Sequence, residues 1–101
     1  MLQYLNSLPE CKAINIHGSV FCERGTPDIV GSIRGRMFLF EAKKSEKETP
    51  EEIQEWRLAQ WRASGAVAEC IRSVEDVKRI MELNGLYPFH DTPVQPVIGD
   101  E

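Results

Sequence analysis

Cysteine is scarce in this chain: Cys11, Cys22 and Cys70 are the only three, and no two form a C-x-x-C pair. An odd, scattered set argues against a disulfide framework and reads as reduced thiols in a cytoplasmic setting. The spacing of Cys11, His17 and Cys22 does not match a zinc cluster either. Long apolar runs are missing as well. None approaches the roughly 20 residues that span a bilayer, and no signal peptide precedes Gln3, so no membrane role is expected. A basic surplus is also lacking, since twelve Lys and Arg face sixteen Asp and Glu, for a net charge of −4. That balance argues against strong non-specific binding to a polyanion. No internal repeat or low-complexity segment occurs. The 101 residues, 42% hydrophobic and 28% charged, describe one ordinary globular domain with a single core.

What the chain does carry is concentrated in residues 25–44, GTPDIVGSIRGRMFLFEAKK. A Gly-Thr-Pro-Asp turn leads into Ile29-Val30-Gly31-Ser32-Ile33, the chain reverses at Arg34-Gly35-Arg36, and Met37-Phe38-Leu39-Phe40 leads out to Glu41-Ala42-Lys43. Two β-rich runs about a short glycine turn predict an antiparallel hairpin. Alternation places Met37, Leu39, Glu41 and Lys43 on one face and Phe38, Phe40 and Ala42 on the other. With apolar residues on both faces, the second strand is expected to be buried on both sides, Glu41 and Lys43 emerging at its end. Asp28 falls opposite Glu41 if the hairpin closes near Arg34-Gly35. Paired carboxylates repel, and a hard cation such as Mg²⁺ relieves that repulsion with oxygen ligands. The same residues also fit a plainer arrangement, in which Asp28 caps a turn and Glu41 and Lys43 form a surface pair.

Pro27-Asp28 followed across a hairpin by Glu41-Ala42-Lys43 resembles the PD-(D/E)XK nuclease signature. With GTPDIVG, the strand into EAKK, TPEEIQEW and a helix ending at Gly65, the order is similar to the virus-type replication-repair nuclease (VRR-NUC) domain over residues 17–77. The resemblance implies a restriction-endonuclease-like α/β core and a Mg²⁺- or Mn²⁺-dependent DNA endonuclease. The expected substrate is branched DNA such as Holliday junctions, cut by a homodimer. The chain would be a stand-alone, phage-like member working in the cytoplasm of a bacterial host. Asp28, Glu41 and the Ala42 carbonyl would hold the metal. Lys43 would orient the attacking water or neutralise charge on the phosphoryl oxygens, and Gln54 would hold that water or a phosphate oxygen. His17, Ser19, Arg24 and Lys44 are the candidates for contacts to nucleic acid. The chain departs from many relatives in lacking an acid on its first helix, where Gln3 is the only metal-capable polar side chain before Asn6. A different class of function, a non-catalytic nucleic-acid- or protein-binding subunit on the same fold, stands beside the enzyme.

The remaining elements follow in order. A short helix is expected up to Leu8, with Leu2 and Leu5 on one face and Pro9 as its stop. A strand is expected over Ala13-Ile14-Asn15-Ile16-His17. A helix starting at Thr49-Pro50-Glu51-Glu52, with Thr49 as cap and Glu52 closing a capping box, should run to about Ser64. Its stripes are Ile53, Trp56 and Ala63, and Gln54, Leu58 and Trp61. The two tryptophans read as core or dimer contacts rather than stacking platforms. A strand over residues 66–71 and a helix capped by Ser73, with Val74, Val77, Ile80 and Met81 inward and Asn84-Gly85 at its end, complete a domain over residues 1–85. Residues 86–101, with Pro88, Pro93 and Pro96, form an arm or tail. The expected architecture is α/β, with a mixed central sheet flanked by helices.

Overall fold

In a computed structural model of the chain, the structure describes residues 1–16, 23–45, 47 and 49–86. Of the expected arm over residues 86–101 only Leu86 is described, and the candidates His17 and Ser19 lie outside the described residues. The elements are α1 (Leu2–Ser7), β1 (Cys11–Asn15), β2 (Ile29–Ile33), β3 (Arg36–Ala42), α2 (Glu52–Ala63), β4 (Val67–Ile71) and α3 (Val74–Leu83). The four strands lie side by side in chain order. β1, β2 and β3 run antiparallel, and β4 joins β3 in parallel after the α2 crossover.

The hairpin closes on a two-residue connection. Arg34 and Gly35 have φ of 50° and 84°, the pair of positive values that a type I′ turn requires. Ile33 therefore faces Arg36 and Ile29 faces Phe40. Continuing that register by one residue sets Asp28 opposite Glu41. Gly31 is required by proximity, because a Cβ there would run into the Lys12 carbonyl oxygen and the Phe38 ring.

Alternation along β3 divides the protein into two layers. Phe38 and Phe40, stacked with ring centroids 4.9 Å apart, join Ile29, Ile33, Val67 and Ile71 against Leu5 of α1 and Val77, Ile80 and Met81 of α3. Leu39 takes the other face with Ala68, under Leu58 of α2 and the half-buried Trp61. The sheet edges are also covered. On β1, the Asn6 amide accepts from the Ala13 N–H at 2.8 Å and donates to the Ala13 carbonyl at 3.0 Å, as a neighbouring strand would. On β4, Arg62 Nε donates to the Ala68 carbonyl at 2.8 Å. Both contacts occupy groups that an edge strand otherwise leaves open to pairing.

Several expectations are corrected. β1 begins at Cys11 and ends at Asn15, two residues ahead of the alternation read from Ala13. The N-cap of α2 is Glu51, not Thr49, and the partner closing its first turn is Gln54, not Glu52. Gln54 is three residues past the cap, the position from which a side chain reaches back to the cap's own N–H. Of the two stripes of α2, the one with Leu58 and Trp61 packs on the sheet, whereas Trp56 on the other is 55% exposed. Glu41 does not emerge at the strand end but is buried, at 3% exposure. α3 follows its pattern, with Ser73 Oγ accepting from the Asp76 N–H at 3.2 Å, Val77, Ile80 and Met81 buried, and Gly85 at φ 75° past its end.

Candidate active site

The GTPD turn is shaped by its neighbours. Thr26 returns its N–H and its hydroxyl to the Glu23 carbonyl at 3.1 and 2.5 Å. Gly25 has φ 83°, and a Cβ there would come within 2.8 Å of the Ile53 side chain on α2. Both observations call for glycine, one through the backbone angle and the other through close approach. Arg57 pins the turn from the helix, donating through Nε to the Arg24 carbonyl at 3.0 Å and lying 3.5 Å from the Glu23 carboxylate. Pro27 is fully buried. Asp28 is thereby delivered to the start of β2, where its carbonyl accepts from the Ile16 N–H at 2.8 Å and its Oδ2 from the Ala42 N–H at 3.2 Å.

Across the hairpin stands Glu41, on the α2 side of the sheet. Its Oε2 accepts from Gln54 Nε2 at 2.8 Å and has Lys43 Nζ at 3.5 Å. Its Oε1 is buried without a hydrogen-bond partner. Burial, and next the repulsion of the Asp28 carboxylate, push the Glu41 carboxyl above its ordinary value, while the Lys43 ammonium and the Asp28 backbone N–H pull it down by less. A buried oxygen left unsatisfied costs free energy on the order of 1–3 kcal/mol. A cation placed against that oxygen would offset the cost directly.

The donor set meets that need. Asp28 and Glu41 offer hard carboxylate oxygens, and the Ala42 carbonyl is a third hard oxygen on the same strand end. Oxygen donors of this kind fit Mg²⁺ or Mn²⁺ and not a thiolate-seeking metal. The set is small. Among the described residues, no group of three or more His, Cys, Asp or Glu converges anywhere, so water would have to complete the shell.

Four of the expected residues, Asp28, Glu41, Lys43 and Gln54, are thus brought together with Ala42. Gln54 arrives with its amide already engaged at both ends: Oε1 accepts from the Glu51 N–H at 2.8 Å while Nε2 donates to Glu41. Arg24 lies apart, lining a hollow with Glu52, Ile53 and Trp56 on α2. Lys44 opens instead onto a depression lined by Cys70, Arg72 and Arg79. Sequence reading passed over the last three. Cys70 sits beside Glu41 in the parallel ladder, and no short-range pattern announces that pairing. Burial raises the Cys70 and Cys11 thiols above their ordinary value, which favours the neutral thiol over the thiolate. No described helix is long and apolar enough to cross a membrane. Compared with protein-family models, with curated proteins and with solved structures, the chain matches none.

Proposed function

We propose that this chain is a divalent-metal-dependent nuclease that hydrolyses DNA phosphodiesters, with a PD-(D/E)XK-type core similar to the VRR-NUC domain. The reading is carried by one observation: a buried, unpartnered carboxylate oxygen of Glu41 beside the Asp28 carboxylate, with a lysine on the adjoining oxygen. Asp28, Glu41 and the Ala42 carbonyl would hold Mg²⁺ or Mn²⁺. A cation there supplies a Lewis acid for the scissile phosphate and lowers the pKa of water.

The protein groups do the rest. Lys43 stands 3.5 Å from Glu41, longer than the roughly 2.7–2.9 Å of a tight charge-assisted bond. In this reading its ammonium would turn to the phosphoryl oxygens as negative charge grows there. Gln54 acts mainly on Glu41. Fixed by the helix cap, its amide holds one carboxylate oxygen and leaves the other for a ligand. It also keeps a second amide hydrogen for a water or a phosphate oxygen.

Branched DNA is the favoured substrate, cut by a homodimer in which two single-site subunits face opposed strands. A gel assay on labelled junction, flap and duplex DNA tests the reading. Cleavage is expected with Mg²⁺ or Mn²⁺, strongest on the junction, and none in excess EDTA. Equal cleavage in EDTA overturns the metal assignment. Failure to cut any substrate while the fold and metal binding are intact favours a non-catalytic binding subunit.

A further inference from the structure

The depression beside Lys44 has a volume of about 500 Å³ and lies where the parallel strands β3 and β4 end. Among the described residues, three cationic side chains line it, Lys44, Arg72 and Arg79, with Asp76 as the carboxylate. In a chain of net charge −4, that grouping is distinct among the described residues. The one acid is committed: Asp76 accepts from the Arg72 N–H at 2.8 Å through one oxygen and from Arg79 at 3.1 Å through the other. It thus holds the Arg72 backbone and forms an ion pair with Arg79.

The depression is joined to the candidate active site. Arg72 Nε donates to the Ser45 carbonyl at 3.0 Å, and the Lys43 N–H donates to the Ile71 carbonyl at 2.9 Å. These bonds tie the segment that leaves β3, with Lys43 and Lys44 on it, to the end of β4. Cys70, part of the lining, pairs with Glu41 across the ladder. Adjacent strands stand about 4.8 Å apart and residues advance about 3.3 Å each, so Arg72 lies roughly 8 Å from Glu41, backbone to backbone. That is the reach of one or two nucleotides.

We infer that this depression is a phosphate subsite, gripping the polynucleotide backbone one or two nucleotides from the bond positioned at Glu41. The inference rests on the proposed nuclease reading, and names the residues that hold the strand. Arginine and lysine neutralise phosphates without reading bases. The subsite therefore supplies affinity and register, and no sequence preference.

The test is Lys44→Ala combined with Arg79→Ala, two exposed side chains, with Arg72 untouched because it holds Ser45. Anisotropy of labelled single-stranded DNA, and of RNA of the same sequence, is followed against salt concentration in Ca²⁺, with inorganic phosphate as a separate ligand. The salt dependence should become shallower by about 1.4 in log–log slope, with roughly tenfold weaker binding at low salt, for both nucleic acids. Mn²⁺ affinity by calorimetry and the urea midpoint should match the parent. An unchanged slope in a variant that still cuts DNA overturns the subsite and leaves the nuclease reading standing. Inorganic phosphate bound as tightly as the oligonucleotide overturns it in favour of a small-anion site. A parent that binds neither oligonucleotide overturns the subsite, and if it also cuts nothing with Mg²⁺ the nuclease reading fails with it.

Discussion

Glu41 is held at a cost that its own chemistry makes measurable. Its folded-state pKa lies above the ordinary 4.5, because burial and the Asp28 carboxylate together outweigh Lys43 and the Asp28 backbone N–H. For a group raised in this way, the stabilising contribution is full below the unfolded value and is lost as pH rises through the folded one. In the metal-free protein, Glu41→Gln removes that dependence. Denaturant unfolding in a chelator should show the variant gaining on the parent as pH rises from about 4.5 toward neutrality. DNA cleavage should be abolished at the same time. A variant that is less stable at neutral pH, or that still cuts, contradicts the assignment. Lys43 belongs to the same cluster with a separable role. Lys43→Ala should lower kcat at least tenfold, since it acts on transition-state charge, and leave Mn²⁺ affinity nearly unchanged. Calorimetry in which metal affinity collapses would show instead that Lys43 organises the ligands.

At the scale of elements, α2 and β3 are coupled through Gln54. One amide closes the first turn of the helix and fixes the carboxylate of the strand, so the helix start and the site geometry depend on each other. Gln54→Ala should lower stability by about 1–2 kcal/mol, by loss of a cap contact and a hydrogen bond to a charged acceptor. Gln54→Glu should cost more at neutral pH, because it sets a second carboxylate against Glu41, and should recover in acid. Urea midpoints at two pH values decide this. Equal midpoints for Ala and Glu would mean that the side chain turns away from Glu41 in solution. The turn before β2 is coupled to the same helix by Gly25 against Ile53 and by Arg57 on the Arg24 carbonyl. Both carboxylates are therefore positioned from α2.

For the whole molecule, the sheet order sets the candidate site at the carboxyl end of a parallel pair, where residues of β3, β4 and α2 come together. On the outer side of α2, Trp56 is 55% exposed beneath the Arg57 guanidinium, which lies 4.7 Å from the ring centroid. Beside it Ile53 and Arg24 line a hollow of about 480 Å³. The proposed homodimer would cover this surface. Sedimentation at micromolar concentration should show a dimer that Trp56→Glu weakens without lowering the urea midpoint. A clean monomer that cuts junctions fully would remove symmetry from the mechanism.

Much of the fold was legible in the sequence because it rests on local geometry. The two-residue turn at Arg34-Gly35 determines the hairpin register, and the register alone sets Asp28 against Glu41. Alternation along β3 separates Phe38 and Phe40 from Leu39 and Glu41, and Ser73 announces α3. The first turn of α2 was misread because Thr49 and Glu52 offer the usual capping pattern, while the competing pair, Glu51 and Gln54, is favoured only once Glu41 accepts the Gln54 amide. The burial of Glu41 was invisible for a related reason. It depends on β4 lying alongside and α2 lying over it, contacts made across long sequence separation. The same parallel pairing brings Cys70, Arg72 and Arg79 to the strand end. The sequence by itself therefore determined which carboxylates meet, through bonds between near neighbours. Only the tertiary structure decided that one of them is buried with an oxygen unpaired, and which cations stand beside it, because burial is set by the elements that close over a residue and not by those that flank it.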